Sequence, residues 1–267
     1  MTTVLNVERT DGYAVVTINN PPMNVISNQV FKELDKVFDE LGTDPEVNAV
    51  IVTGQGDKVF AAGADIKEFP QLIGQGGLKE KFLETHAILN RIDRFEKPVI
   101  AMLNGLTFGG GCEVTLCCDI RIAEEHAQIG LPEITLGLFP GGGGTQRLPR
   151  LVGEAKAKEL MFTGEAITAA EAERIGMVNK VTSSGEGMEA ARKMAKRIAR
   201  FSLPALSRIK KAVDEGLELP LERGTELEAG LFEEVFQTED VQEGVKAFIE
   251  KKKAGIPKQV RGKTDGA

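Results

Sequence analysis

Glu113 and Glu133 stand twenty residues apart, the first in GGGCEVTLCCD and the second in IGLPEITLG, each beside a glycine- or proline-bearing segment. Two carboxylates brought together can hold and polarise one water molecule. Burial of such a pair separates the two proton affinities, so that near neutral pH one is protonated as an acid and the other ionised as a base. Adding water across a double bond requires that division of labour. Taken singly, the residues read more plainly: a glutamate on a helix is ordinarily a solvated surface group, and a glycine cluster is ordinarily a tight turn.

Three glycine-rich segments accompany the glutamates: AAGADIK (61–67), NGLTFGGGCE (104–113) and PGGGGTQRL (140–148). Glycine lets the backbone come close to a ligand and adopt positive φ, which turns amide N–H groups toward one point. A helix starting there adds its dipole in favour of negative charge. Two such amides can form an oxyanion hole. Phosphate-loop signatures are not completed: no Gly-Lys-Ser/Thr follows a glycine loop, and no GxGxxG is present. His86 and His126 form no HExxH and no GxSxG appears. Cys112, Cys117 and Cys118, crowded within seven residues, lack zinc or disulfide spacing. Metal and serine-nucleophile chemistry are therefore disfavoured, and no metal site is expected.

The elements that must position these groups alternate between strand and helix. VLNVER (4–9) and YAVVTIN (13–19), separated by Asp11-Gly12, predict a hairpin. A helix is expected from Ser27 to near Gly42, with Val30, Leu34, Val37, Phe38 and Leu41 on one stripe. AVIVTG (49–54), PVIAMLNG (98–105) and DIRIA (119–123) read as strands. Residues 68–77 read as a loop, followed by a helix that ends before Pro98 and carries Leu78, Phe82, Leu89 and Ile92. That stripe is read as part core, part pocket. Beyond Gly164 the pattern turns helical: Thr168-Ala-Ala-Glu171 is a capping box, and 186–201 and 204–253 are amphipathic or rich in Ala, Lys and Arg, interrupted only by MVNKVT (177–182). The expected division is an α/β core over residues 1–185 and a helical part over 186–267, with a frayed tail from Ala254.

The composition permits a full core: 267 residues, 42% apolar and 27% charged. A net charge of −7 gives little drive toward nucleic acid or an anionic membrane, so a small-molecule ligand is expected. No segment sustains the roughly eighteen apolar residues of a membrane span, and the N-terminus reaches charge too soon for a secretory signal. Three thiols without a disulfide framework fit a reducing compartment, and a cytoplasmic protein is expected.

Taken in order, FAAGADIKEF, NGLTFGGGCEVTLCCDIRIA, AQIGLPEITLGLFPGGGGTQRLPRLVG and TGEAITAAEAERIGMVNKV resemble the enoyl-CoA hydratase (crotonase) family, over nearly the whole chain. The resemblance implies an α/β fold built as a spiral of β-β-α units, with a C-terminal helical region that packs subunits into trimers, commonly hexamers as dimers of trimers. It implies acyl-CoA substrates, with CoA as the substrate's handle and no separate cofactor. The thioester oxygen would be held by the backbone N–H groups of Ala64 and Gly110, and the CoA moiety would lie along Ala62, Ala64, Asp65, Ile66 and Lys67. Glu113 would direct a water at Cβ and Glu133 would handle the proton at Cα, giving a 3-hydroxyacyl-CoA from a 2-trans-enoyl-CoA.

Several of these residues keep a second reading. Asp65 suits hydrogen bonding within its turn, Lys67 is an ordinary surface lysine unless a phosphate orders it, and Lys251, Lys252 and Lys253 form a charge run of the solvated kind. The alternatives are an enoyl-CoA isomerase, a hydratase of branched or aromatic acyl-CoA, and, least favoured by the acidic balance, an RNA-binding or scaffold protein.

Overall fold

The computed structural model describes residues 3–250. β1 (Leu5–Thr10) and β2 (Tyr13–Ile18) pair antiparallel around Asp11 and Gly12, both at positive φ (46° and 86°), as the Asp-Gly signal predicts. α1 (Asn28–Thr43) begins where Ser27 accepts a 3.3 Å bond from Val30 N, and it buries Val30, Leu34, Phe38 and Leu41 of the predicted stripe, with Val37 half-buried.

The chain then repeats one pattern: β3 (Ala49–Gly54), β4 (Val59–Ala62) and α2 (Lys79–Asp93); β5 (Val99–Leu103), β6 (Leu106–Phe108) and α3 (Gly110–Leu116); β7 (Ile120–Glu124), β8 (Gln128–Gly130) and a 3-10 turn over Pro132–Leu136. In each repeat the first strand enters a six-stranded sheet of order β1-β2-β3-β5-β7-β10, where β10 is Lys180–Thr182. The second enters a four-stranded sheet of order β4-β6-β8-β9, where β9 is Ile167–Thr168. β3, β5 and β7 pair parallel in the first sheet, as do β4, β6 and β8 in the second. This is the predicted α/β spiral of β-β-α units. α4 (Gly144–Val152), α5 (Glu154–Thr163), β9 (Ile167–Thr168), α6 (Ala169–Arg174), β10 (Lys180–Thr182) and α7 (Gly187–Ile198) complete the layers, and α8 (Leu203–Gly216), α9 (Leu221–Phe236) and α10 (Glu239–Ile249) follow.

Continuous apolar strands are needed because the large sheet is covered on both faces. Successive side chains alternate: Val50, Val52, Val99, Ala101 and Leu103 join the main core with α1, α2 and α3, whereas Ala49, Ile51, Ile100 and Met102 meet Ala191 and Ala195 of α7. α7 is thus a layer of the sheet packing, and the helices beyond it are α8, α9 and α10. The step from one sheet to the other is tied by buried Asn104, whose amide donates to Gly54 O and Gly56 O at 2.9 and 2.8 Å while its Oδ1 accepts from Gly54 N.

The structure departs from the sequence reading in several places. β4 and β6 are strands of four and three residues inside or beside segments read only as glycine-rich, and β8 is a strand of three residues in a stretch to which the sequence reading gave no element. The α2 stripe divides: Leu89 and Ile92 are core, Leu78 is half-buried, and Phe82 is exposed. Of MVNKVT only Lys180–Thr182 is strand. Thr168 caps α6 by accepting from Glu171 N at 3.2 Å, but the Glu171 carboxylate binds Arg174 instead of completing the capping box. Lys251, Lys252, Lys253 and the predicted frayed tail lie outside the described residues.

Candidate active site

The N-terminus of α3 is the organising point. Gly109 (φ 51°) turns the chain into the helix while its N–H donates to Gly130 O at 3.0 Å. A methyl group on Gly111 would lie 2.2 Å from Ala61 O, so only glycine lets this first turn rest on β4. That approach brings Gly110 beside Ala64: a methyl group on Gly110 would stand 3.5 Å from Ala64 N.

The two amides of interest are left available by their surroundings. Ala64 forms a parallel bridge with Ile26, in which Ile26 N donates to Gly63 O (2.9 Å) and Asp65 N to Ile26 O (3.4 Å). The flanking groups make those bonds, and Ala64's own N–H is not used in them. Gly110 is the first residue of α3, and the first-turn N–H groups of a helix have no intrahelical acceptor.

Glu113 follows one turn later and is buried, 4% exposed. Its Oε1 accepts from Gly142 N at 2.7 Å and Gly144 N at 2.8 Å, so the carboxylate sits at the N-terminus of α4. Burial pushes its proton affinity up, to a pKa of about 7. The charge of Glu133 adds to the rise, while the Gly144 and Gly142 bonds and the Arg147 charge oppose it.

Glu133 lies in the 3-10 turn Pro132–Leu136. Its Oε1 is 3.0 Å from where a methyl group on Gly109 would be, and its Oε2 is buried with no hydrogen-bond partner among the described residues. Burial raises its pKa also.

The raised Glu113 pKa has a sign that stability measurements can read. The folded chain holds this proton more tightly than the unfolded chain, whose carboxyl titrates near 4.5, so the folded state loses stability as pH rises from 4.5 through about 7. Glu113→Gln does not titrate, and its amide oxygen can accept the same two N–H bonds. The variant is expected to gain on the parent between pH 5 and pH 8 by on the order of 3 kcal/mol. Urea unfolding at the two pH values checks this; a difference independent of pH would refute it.

The remaining predicted residues line one segment. Ala62 ends β4 and donates to Met23 O at 3.0 Å; Asp65 Oδ1 accepts from Lys67 N at 3.1 Å, the turn bond expected of it. Ile66 and Lys67 are exposed, and Lys67 makes no ion pair among the described residues. The three cysteines are free and buried, with the Cys118 thiol pushed up to about 12 by burial and those of Cys112 and Cys117 raised as well, so all stay protonated. His126 bonds Ser184 and backbone carbonyls. Among the described residues no group of three or more His, Cys, Asp and Glu side chains could hold a metal ion, and no helix is long and apolar enough to cross a membrane.

The groups holding Glu113 were not anticipated from sequence. The run PGGGGTQRL was recognised as glycine-rich, but nothing local says that Gly142 N and Gly144 N serve a carboxylate about thirty residues earlier, or that Arg147 reaches back to them.

Residues 8–258 match the family described as Enoyl-CoA hydratase/isomerase. The chain belongs to that family. A short-chain-enoyl-CoA hydratase of Clostridium acetobutylicum is 44% identical over 92% of this chain and 94% of its own. A crotonyl-CoA hydratase of Syntrophomonas wolfei is 43% identical over 93% and 96%. The crystal structure of an enoyl-CoA hydratase from Bacillus anthracis superposes with a TM-score of 0.90 at 35% identity, covering 96% of this chain and all of the other.

Proposed function

We propose that this member of the enoyl-CoA hydratase/isomerase family adds water reversibly to 2-trans-enoyl-CoA thioesters, forming 3-hydroxyacyl-CoA. What carries this reading is that buried Glu113 and half-buried Glu133 both have raised proton affinity and interact by charge, near the end of α3 that also bears the Gly110 N–H beside Ala64. Relatives named for enoyl-CoA hydration over nearly their full length support the same reading.

In this mechanism Glu113, ionised, takes a proton from the attacking water and aims its oxygen at Cβ. Electron density moves through the double bond to the thioester oxygen, where the N–H groups of Ala64 and Gly110 stabilise the enolate. Glu133 then delivers a proton to Cα, its Oε2, which has no hydrogen-bond partner among the described residues, being the atom free to exchange it. Every bond change is met by these groups and the substrate, so no cofactor is required. Ala62, Asp65, Ile66 and Lys67 would border the CoA moiety, with Lys67 as a phosphate partner. An acid at 113 as well as 133 favours hydration over isomerisation, which needs only a proton shuttle.

The protein is further proposed to assemble as a trimer or a hexamer, with residues 1–185 as the catalytic core. Within the 186–267 region α7 is committed to the sheet, so subunit contacts fall to α8, α9 and α10. Their exposed Ile209, Val213, Leu217, Phe232, Phe236 and Phe248 support this, since large apolar side chains gathered on one region usually mark an interface. Three free, buried thiols support a cytoplasmic location, and the net charge of −7 weighs against nucleic acid as a partner.

Crotonyl-CoA mixed with the purified protein should lose its conjugated-thioester absorbance, and mass spectrometry should find a product heavier by one water. No decay at high protein concentration across enoyl-CoA substrates of graded length and branching would overturn the proposal.

A further inference from the structure

Arg147 lies one turn into α4, with only 14% of its side chain exposed, and its guanidinium is engaged in three directions. Nε and Nη2 both donate to Asp93 Oδ2 at 3.1 Å, Nη2 donates to Asn90 Oδ1 at 2.6 Å, and Nη1 reaches Gly142 O at 3.4 Å. Gly142 is thereby tied at both ends, its carbonyl to Arg147 and its N–H to Glu113.

We propose that Arg147 is a positioning residue for the hydration, clamping the Gly142–Gly144 loop to α2 so that its amides hold Glu113 in place and supplying that carboxylate with a compensating positive charge. The inference rests on the hydratase reading of the site.

The loop consists of four consecutive glycines, Gly141 to Gly144, and has no side chains with which to pin itself. Glycine backbone is the costliest to order, so its precision must come from outside. The fork of a guanidinium can bind a carboxylate, an amide oxygen and a carbonyl at once, which a lysine ammonium on a flexible stem cannot do in the same geometry.

The charge matters as well as the clamp. Glu113 faces Glu133 from the 3-10 turn, Arg147 from α4, the protonated Cys112 thiol of its own helix and the protonated Cys117 thiol at that helix's C-cap. Asp93 from α2 offsets part of the Arg147 charge, and His86 of α2 borders Gly143. Arg147 favours the ionised form of Glu113, so its removal should raise the proton affinity of the base.

Steady-state kinetics with crotonyl-CoA test this. Arg147→Met is expected to lower kcat by ~10- to 100-fold through misplacement of Glu113, with KM changed less than about threefold. The acid limb of the kcat/KM profile should move to higher pH. Arg147→Lys should return the acid limb toward the parent position without restoring kcat. Asn90→Ala, which loosens the clamp and keeps the charge, should lower kcat less and leave the limb in place; it stands as the test if circular dichroism shows Arg147→Met unfolded.

Parent-like kcat in folded Arg147→Met, or in Asn90→Ala where Arg147→Met is unfolded, overturns the proposal while the hydratase reading survives. A kcat loss matched by lost thermal stability with an unmoved acid limb does the same, because it marks a structural role only. Absence of hydration by the parent enzyme overturns both.

Discussion

Glu113→Gln and Glu133→Gln are each expected to lower kcat for crotonyl-CoA hydration by ~10²–10⁴, the usual range for removing a positioned acid or base. Glutamine nearly matches glutamate in shape, and at position 113 its amide oxygen can still accept from Gly142 N and Gly144 N. Geometry and KM should therefore persist while basicity vanishes, which separates a chemical role from a structural one. At position 133 the change replaces an exchangeable carboxyl proton with an amide. If both side chains act on one addition of water, the double variant should be little worse than the poorer single one. Near-parent rates in either single variant would refute the two-carboxylate mechanism.

Gly110→Pro is expected to cost ~10²–10³ in kcat, about 3–4 kcal/mol of transition-state stabilisation, with the fold retained. A backbone donor is ordinarily beyond the reach of substitution, but Gly110 is the first residue of α3. Proline is well accepted there because no intrahelical bond uses that N–H. The preceding Gly109, at φ 51° and ψ −126°, lies outside the α region that a following proline disfavours. Gly110→Ala controls for bulk, since its methyl would sit 3.5 Å from Ala64 N and leave the Gly110 N–H in place. Proline no worse than alanine, in folded proteins by circular dichroism, would remove Gly110 N–H from the oxyanion hole.

Much of the framework was legible because it is written in local periodicity. Ser27 and the Val30, Leu34, Phe38, Leu41 stripe specify α1, Asp11-Gly12 specifies the first hairpin, and apolar runs such as AVIVTG specify strands buried on both faces. β4, β6 and β8 escaped that reading. VFAA, LTF and QIG are too short to show a period, and their strand form depends on pairing with one another across long intervals of sequence.

The same distinction runs through the site. Residue types and spacing nominated Glu113 and Glu133, because a carboxylate pair is recognisable chemistry wherever it stands, while the Ala64 and Gly110 amides were named only through the resemblance to the enoyl-CoA hydratase family. Which group touches which was decided by the tertiary structure. Gly111 must be glycine because β4 lies 2.2 Å away from any methyl there, and Glu113 is held by amides 29 and 31 residues distant. Its pKa near 7 follows from burial and the charges of Glu133 and Arg147. Proton affinity is a property of surroundings, summed over every segment that packs around a group, and no local stretch of sequence carries that sum.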